Sequence, residues 1–343
     1  MTPFSRRGFL AKAAVGAAVA AGTSAVAATP AKIVNPLVLQ RADAQIFRHS
    51  DGFYYMMATV PEFDRLVIRR AETLAGLSTA AEVVVWRRPA DGQMGGYIWA
   101  PELHHVDGRW LIYFGAGNAG AVFHVRTYVL ECADKNPLTG QWALAGQVET
   151  PWDTFTLDAT VFTHGKTRYL CWAQGEPGIE TNSNIYLAPL KSPTHIAAAP
   201  TRLSVPTLEW ETRGYKVNEG PAVLARNGRL FLTYSASATD ENYCLGMLTA
   251  RDDADIMDPA AWTKSSAPVF RSSAKNNVWG AGHNSFTVDE KGRDMLVYHA
   301  RDYQKITGNP LHDPNRHTRV QPFGYTADGV PDFGEPVANG LLA

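Results

Sequence analysis

The chain has 343 residues, 45% of them hydrophobic and 19% charged, with a formal net charge of -1 and three cysteines. A near-neutral balance gives no basic footprint for nucleic acid, and three cysteines with no CxxC pair imply neither a zinc site nor a disulfide framework. The first element in chain order is a targeting segment. Ser5-Arg6-Arg7-Gly8-Phe9-Leu10 is a twin-arginine pattern, followed by Lys12, an Ala/Val/Gly run and the small-x-small site Ala25-Val26-Ala27. The apolar run 13–21 is too short to cross about 30 Å of hydrocarbon, so residues 1–27 read as a signal peptide. Its removal deletes Arg6, Arg7 and Lys12 and no acid, moving the net charge from -1 to -4. A periplasmic or secreted protein with no membrane association in its mature form is expected, with residues 28–343 as one domain acting as a monomer.

Beyond that segment the dominant signal is internal repetition. The unit is a polar or acidic start, a short apolar strand, a turn with Gly, and an aromatic-rich strand. It reads DAQIFRHSDGFYYMMAT from Asp43 and WAPELHHVDGRWLIYFGAG from Trp99. It returns as LDATVFTHGKTRYLCWAQ from Leu157, NEGPAVLARNGRLFLTYSA from Asn218 and GHNSFTVDEKGRDMLVYHA from Gly282. The markers Asp43, Glu102, Asp158, Glu219 and His283 stand 59, 56, 61 and 64 residues apart. Each unit carries a hairpin dipeptide: Asp51-Gly52, Asp107-Gly108, His164-Gly165, Asn227-Gly228 and Lys291-Gly292. Further short strands lie between, at 126–133, 183–190 and 244–250, giving about four strands per unit. That is the composition of one propeller blade. The expected fold class is all-β, a five-bladed β-propeller. The stretches 71–77 and 252–262 read as single turns, 191–208 as a long connection between blades, and 322–336 as a closing strand pair. Cys171 and Cys244 lie in apolar, strand-like runs, where a buried free thiol is expected.

In a propeller the first strand of every blade lines the central channel, so the five repeat starts converge at one mouth. Asp43, Asp158 and Glu219 sit there beside small or apolar neighbours, whereas most other acids lie in turns or charged runs. Burial and mutual repulsion among gathered carboxylates raise the pKa of at least one, which an acid and base working at the same pH require. Trp99, next to Ala100-Pro101-Glu102 at a repeat start, is a candidate to line the substrate pocket, with ordinary blade core as the alternative. Glu102 reads as a brace for backbone. His104 and His105 alternate faces along a strand and cannot clamp one metal.

The ordered set RADAQIF, IWAPELHHVDGRWLIYF, LDATVF, NEGPAV, GHNSF and YHARD closely resembles family 43 of the glycoside hydrolases. NPLVLQRAD, ATVPEFDRL and MGGYIWAPE point to its branch of exo-acting 1,5-α-L-arabinofuranosidases. The resemblance covers all five units and implies an inverting hydrolase of arabinose-containing plant polysaccharide or oligosaccharide. It implies Asp43 as general base, Glu219 as general acid and Asp158 as the residue tuning and orienting that acid. It implies Arg301 of YHARD on sugar hydroxyls or the acid, and His283 beneath the site, in some members on a bound calcium ion that water would largely ligate. No cofactor is otherwise required. The family's common Asp-Pro is here Asp43-Ala44, which slackens the turn but keeps the carboxylate. β-Xylosidase, endo-arabinanase and a sugar-binding propeller without turnover remain open at this point.

Overall fold

The computed structural model describes residues 32–342, so the expected signal peptide 1–27 lies outside the described residues. Among these residues the regular structure is strand, interrupted only by short 3-10 turns such as Ala75–Ser78 and Pro259–Ala261. The strands form a five-bladed β-propeller. Blade I comprises Ala42–Arg48, Tyr54–Thr59, Arg65–Ala71 and Val83–Arg87. Blade II comprises Ile98–Val106, Arg109–Asn118, Ala121–Cys132 and Ala143–Gln147. Blade III holds Thr156–His164, Thr167–Gln174, Asn184–Ser192 and Thr201–Ser204. Its fourth strand falls inside the stretch expected to be mere connection. Blade IV holds Asn218–Arg226, Arg229–Ala236, Cys244–Arg251 and Thr263–Lys264.

Blade V has three strands of its own, Trp279–Val288, Asp294–Arg301 and His317–Pro322. Its fourth place is taken by the start of the described chain. Val38 bridges Thr318, the Leu37 N–H donates to the Thr318 carbonyl, and Asn35 exchanges two hydrogen bonds with Val320. Val34–Asn35 also pairs with Gly340–Leu341, so both ends of the described chain are tied to one blade. The 322–336 stretch forms the expected closing pair, Gly324–Tyr325 with Pro331–Asp332.

Strand periodicity explains why these blades stack. Along Tyr54–Thr59, Tyr54, Met56 and Ala58 pack toward blade V, while Tyr55 and Met57 pack toward blade II. Along Arg109–Asn118, Trp110, Ile112 and Phe114 face blade I, while Leu111 and Tyr113 face blade III. Second strands are therefore apolar on both faces, and the apolar clusters lie between neighbouring blades, not on the central axis. Burying one large apolar side chain stabilises by about 1.5–3 kcal/mol, so inter-blade seams hold the ring and leave the channel free for polar groups. Cys132, Cys171 and Cys244 are buried, free thiols.

Candidate active site

Every inner strand carries a bulge near its start, where the ladder slips between Ala42 and Gln45, Trp99 and Glu102, Leu157 and Thr160, Glu219 and Ala222, and Gly282 and Ser285. The first bulged residue is left-handed in each blade: Asp43 (φ 55), Ala100 (φ 43), Asp158 (φ 55), Gly220 (φ 53) and His283 (φ 44). That conformation costs an L-residue about 1–2 kcal/mol, and such strain gathers at functional sites. The structural repeat spacing is thus 57, 58, 62 and 63 residues. This corrects two of the sequence markers: Glu219 stands one residue before the bulge, and Glu102 two after it.

The bulges are locked from blade to blade. The Ala100 N–H donates to Thr59 Oγ1 (2.8 Å), the Gly220 N–H to Asp158 Oδ2 (2.9 Å) and the His283 N–H to Ser235 Oγ (2.7 Å). The Asp43 N–H points at Nδ1 of His299, 3.1 Å away. Where the family's proline is missing, Ser285 instead clips the turn, its hydroxyl donating to the Ala44 carbonyl (2.9 Å) and accepting from the Ile46 N–H (3.2 Å).

These bulges bring Asp43, Asp158, Glu219 and His283 together. His283 Nδ1 lies 3.4 Å from Asp43 Oδ1 and 3.9 Å from Asp158 Oδ2. Asp43, buried, also has His299 Nδ1 at 3.2 Å and the guanidinium of Arg316 at 3.5 Å. Burial alone would raise its pKa, but His283, Arg316 and the His299 contact outweigh burial and hold Asp43 well below the usual carboxylate range. The other two carboxyls go the opposite way. Burial, with the charges of Glu219 and Asp43 added, pushes Asp158 up to about 7 against the pull of His283. Burial likewise raises Glu219, despite the Tyr243 hydroxyl donating to its Oε1 at 2.7 Å. Burial works against the charge on His283, yet the surrounding carboxylates raise its pKa. Burial depresses His299 to about 4, so that ring is neutral.

Trp99 is buried, its ring among Phe63, Tyr97 and the exposed Phe123. Its indole N–H has no protein partner. Arg301 does not reach the carboxylates. It is 1% exposed, and its guanidinium donates to the carbonyls of Thr239 and Pro310 and lies 3.5 Å from Asp313. The cation that meets the catalytic candidates is instead Arg316, at the end of the 302–316 loop. Arg316, His299 and Tyr243 were not singled out from sequence, and only His299, within YHARD, had a signal there. Glu102 pairs with His104 at 2.9 Å.

Calcium takes six to eight oxygens. Among the described residues no three His, Cys, Asp or Glu side chains gather in a metal-binding arrangement, and His283 Nδ1 already faces two carboxylates. The residues present do not make an all-protein calcium site. A cavity of about 550 Å³ opens at the opposite end of the channel, lined by Gln45, Glu102, His104, Thr160 and Ser285 but by none of the three carboxylates.

Residues 33–331 match the profile of the glycosyl hydrolases family 43. The chain belongs to that family. It is 53% identical over 338 residues to an extracellular exo-α-(1→5)-L-arabinofuranosidase of Streptomyces avermitilis, covering 97% of this chain and 70% of that one. It is 56% identical over 329 residues to α-L-arabinofuranosidase 43 of Humicola insolens, covering 94% and 68%. The crystal structure of an α-L-arabinofuranosidase from Lactobacillus brevis superposes with a TM-score of 0.87 at 52% identity, over 90% of this chain and 98% of that one. As a family 43 member the chain is a glycosidase, and no helix among its described residues is long and apolar enough to cross a membrane.

Proposed function

We propose that this family 43 protein is an inverting, exo-acting α-L-arabinofuranosidase, exported through its twin-arginine segment, that releases terminal arabinofuranosyl residues from arabinan or arabino-oligosaccharides. The observation carrying the reading is the opposite electrostatic setting of two carboxyls at one mouth. Asp43 is held ionised chiefly by His283 and Arg316, while burial raises the pKa of Glu219 and so favours its protonated form. An ionised carboxylate can take a proton from water, and a protonated one can give its proton to the departing glycosidic oxygen. With the two acting on opposite faces of the sugar, water enters as the leaving group departs and the configuration inverts. Asp158, bonded to the N–H that follows Glu219, fixes that segment, and its charge competes with Glu219 for a proton.

Exo action is supported by the 302–316 loop of blade V. It crosses the top of blade I, where Leu311 packs on the cluster containing Phe63 and Trp99, and His312 Nε2 lies 3.2 Å from the Tyr97 hydroxyl at the entry to blade II. A groove open at both ends needs that side clear. The arabinofuranosidase activities of these relatives favour the same substrate over xylosides. The test is proton NMR of an aryl α-L-arabinofuranoside during the first minutes of hydrolysis. β-Arabinofuranose should appear before mutarotation; α-product first would point to retention and overturn the mechanism.

A further inference from the structure

Tyr243 stands just before the third strand of blade IV, Cys244–Arg251, and is 1% exposed. Its hydroxyl donates to Glu219 Oε1 at 2.7 Å. Its ring lies nearly parallel to the His299 imidazole, 6° between planes with centroids 5.5 Å apart, and His299 in turn touches Asp43. On another side it rests on bare backbone: a Cβ added at Gly282 would fall 2.4 Å from the ring. The phenol is therefore gripped between blade V and blade IV, its one polar atom donating to the oxygen of the acid with the Ser235 hydroxyl also beside it.

We infer that Tyr243 is a positioning residue for acid catalysis, which occupies Oε1 of Glu219 and so leaves the transferable proton on Oε2, the oxygen free to face the leaving group. The inference rests on the reading of Glu219 as the acid. A carboxyl whose two oxygens are equivalent carries its proton on the wrong one part of the time and can rotate away from the substrate. A phenol locked by stacking removes both freedoms. The same hydrogen bond favours ionised Glu219. The other charged groups acting on Glu219 are His283, Asp43 and Arg316, its own charge raises the pKa of Asp158, and none of them takes the place of the Tyr243 hydroxyl.

The experiment is Tyr243→Phe in the full chain, beside wild type, Glu219→Ala and the double variant, on an arabino-oligosaccharide and on 4-nitrophenyl α-L-arabinofuranoside. Tyr243→Phe should lower kcat on the oligosaccharide roughly tenfold or more, toward the range general acid catalysis spans, with KM little changed. The aryl substrate, which scarcely needs a proton, should lose much less. The basic limb of kcat/KM should move up by about one pH unit as Glu219 loses a donor. In the Glu219→Ala background the Phe substitution should add no further loss. Equal losses on both substrates with an unmoved basic limb would overturn the assignment and leave Tyr243 a packing residue. Additive losses in the double variant would overturn it as well. A wild type inert on both substrates would instead bring down the hydrolase reading, and this inference with it.

Discussion

Gly220→Ala is the sharpest single probe of the site, because the structure separates its two effects. Gly220 is left-handed at φ +53, so an alanine there costs about 1–2 kcal/mol. At about 2.1 cal/mol/K of unfolding entropy per residue over some 310 residues, that lowers Tm by roughly 2–3 °C. The second effect is contact. A Cβ would sit 3.1–3.2 Å from Nδ1, Cε1 and Cγ of His283. The residue cannot retreat freely, since the His283 backbone N–H is bonded to Ser235 Oγ and the ring Nδ1 faces Asp43. A shift of a few tenths of an ångström at this position should cut kcat/KM roughly tenfold, a fraction of the roughly hundredfold loss that ångström-scale misplacement brings. Drawing the imidazolium away from Asp43 should also raise the base's pKa and move the acidic limb of kcat/KM to higher pH. Gly228→Ala is the control: its φ is +70, in the Asn227-Gly228 hairpin turn, and its added Cβ meets nothing nearer than Asp252 at 3.9 Å. It should lose similar stability and keep its activity. Calorimetry and pH–rate profiles on an aryl arabinofuranoside read both. Full activity in Gly220→Ala, or equal loss in the two variants, would refute the claim that a crowded His283 sets the charge on Asp43.

Glu219→Ala should lose about 10²–10⁴-fold on an oligosaccharide but much less on an activated aryl arabinofuranoside, whereas Asp43→Ala should be crippled on both and partly rescued by azide; the reverse pattern would exchange the two roles. Asp158 has a folded pKa raised to about 7, so its favourable contribution to stability is intact below its unfolded pKa, near 4, and is lost as pH climbs through 7. Asp158→Asn should therefore raise Tm near pH 8 and leave it near wild type around pH 4, while kcat falls and the basic limb moves down as Glu219 loses a negative neighbour; a Tm gain equal at both pH values would count against that electrostatic account. Arg6→Lys with Arg7→Lys should leave active enzyme in the cytoplasm, read by fractionation, and normal export would refute twin-arginine routing.

The five-fold repeat was legible because hairpin dipeptides and two-faced apolar strands recur at near-constant spacing, and strand alternation does the rest. Asp43, Asp158 and Glu219 stood out as acids with small neighbours at repeat starts. Their register was not legible. A left-handed bulge is advertised by glycine, as at Gly220, but Asp43, Ala100, Asp158 and His283 adopt it without one. Arg316 and Tyr243 come from connections between strands, whose course depends on contacts made only in the finished ring. Arg301 was placed on sugar hydroxyls or the acid by the resemblance of YHARD alone, and only the fold puts the carbonyls of Thr239 and Pro310 within its reach.

The seam in blade V has a consequence for biosynthesis. Asn35, Leu37 and Val38 find their partners in Thr318 and Val320, some 280 residues later in translation. The apolar edge that Leu37 and Val38 cover stays open until Thr318 and Val320 have left the ribosome, so the ring closes only after all five blades have been made. A translocase threading an unfolded nascent chain would carry the first half of that seam across the membrane before the second half existed. A route that accepts finished proteins avoids separating them.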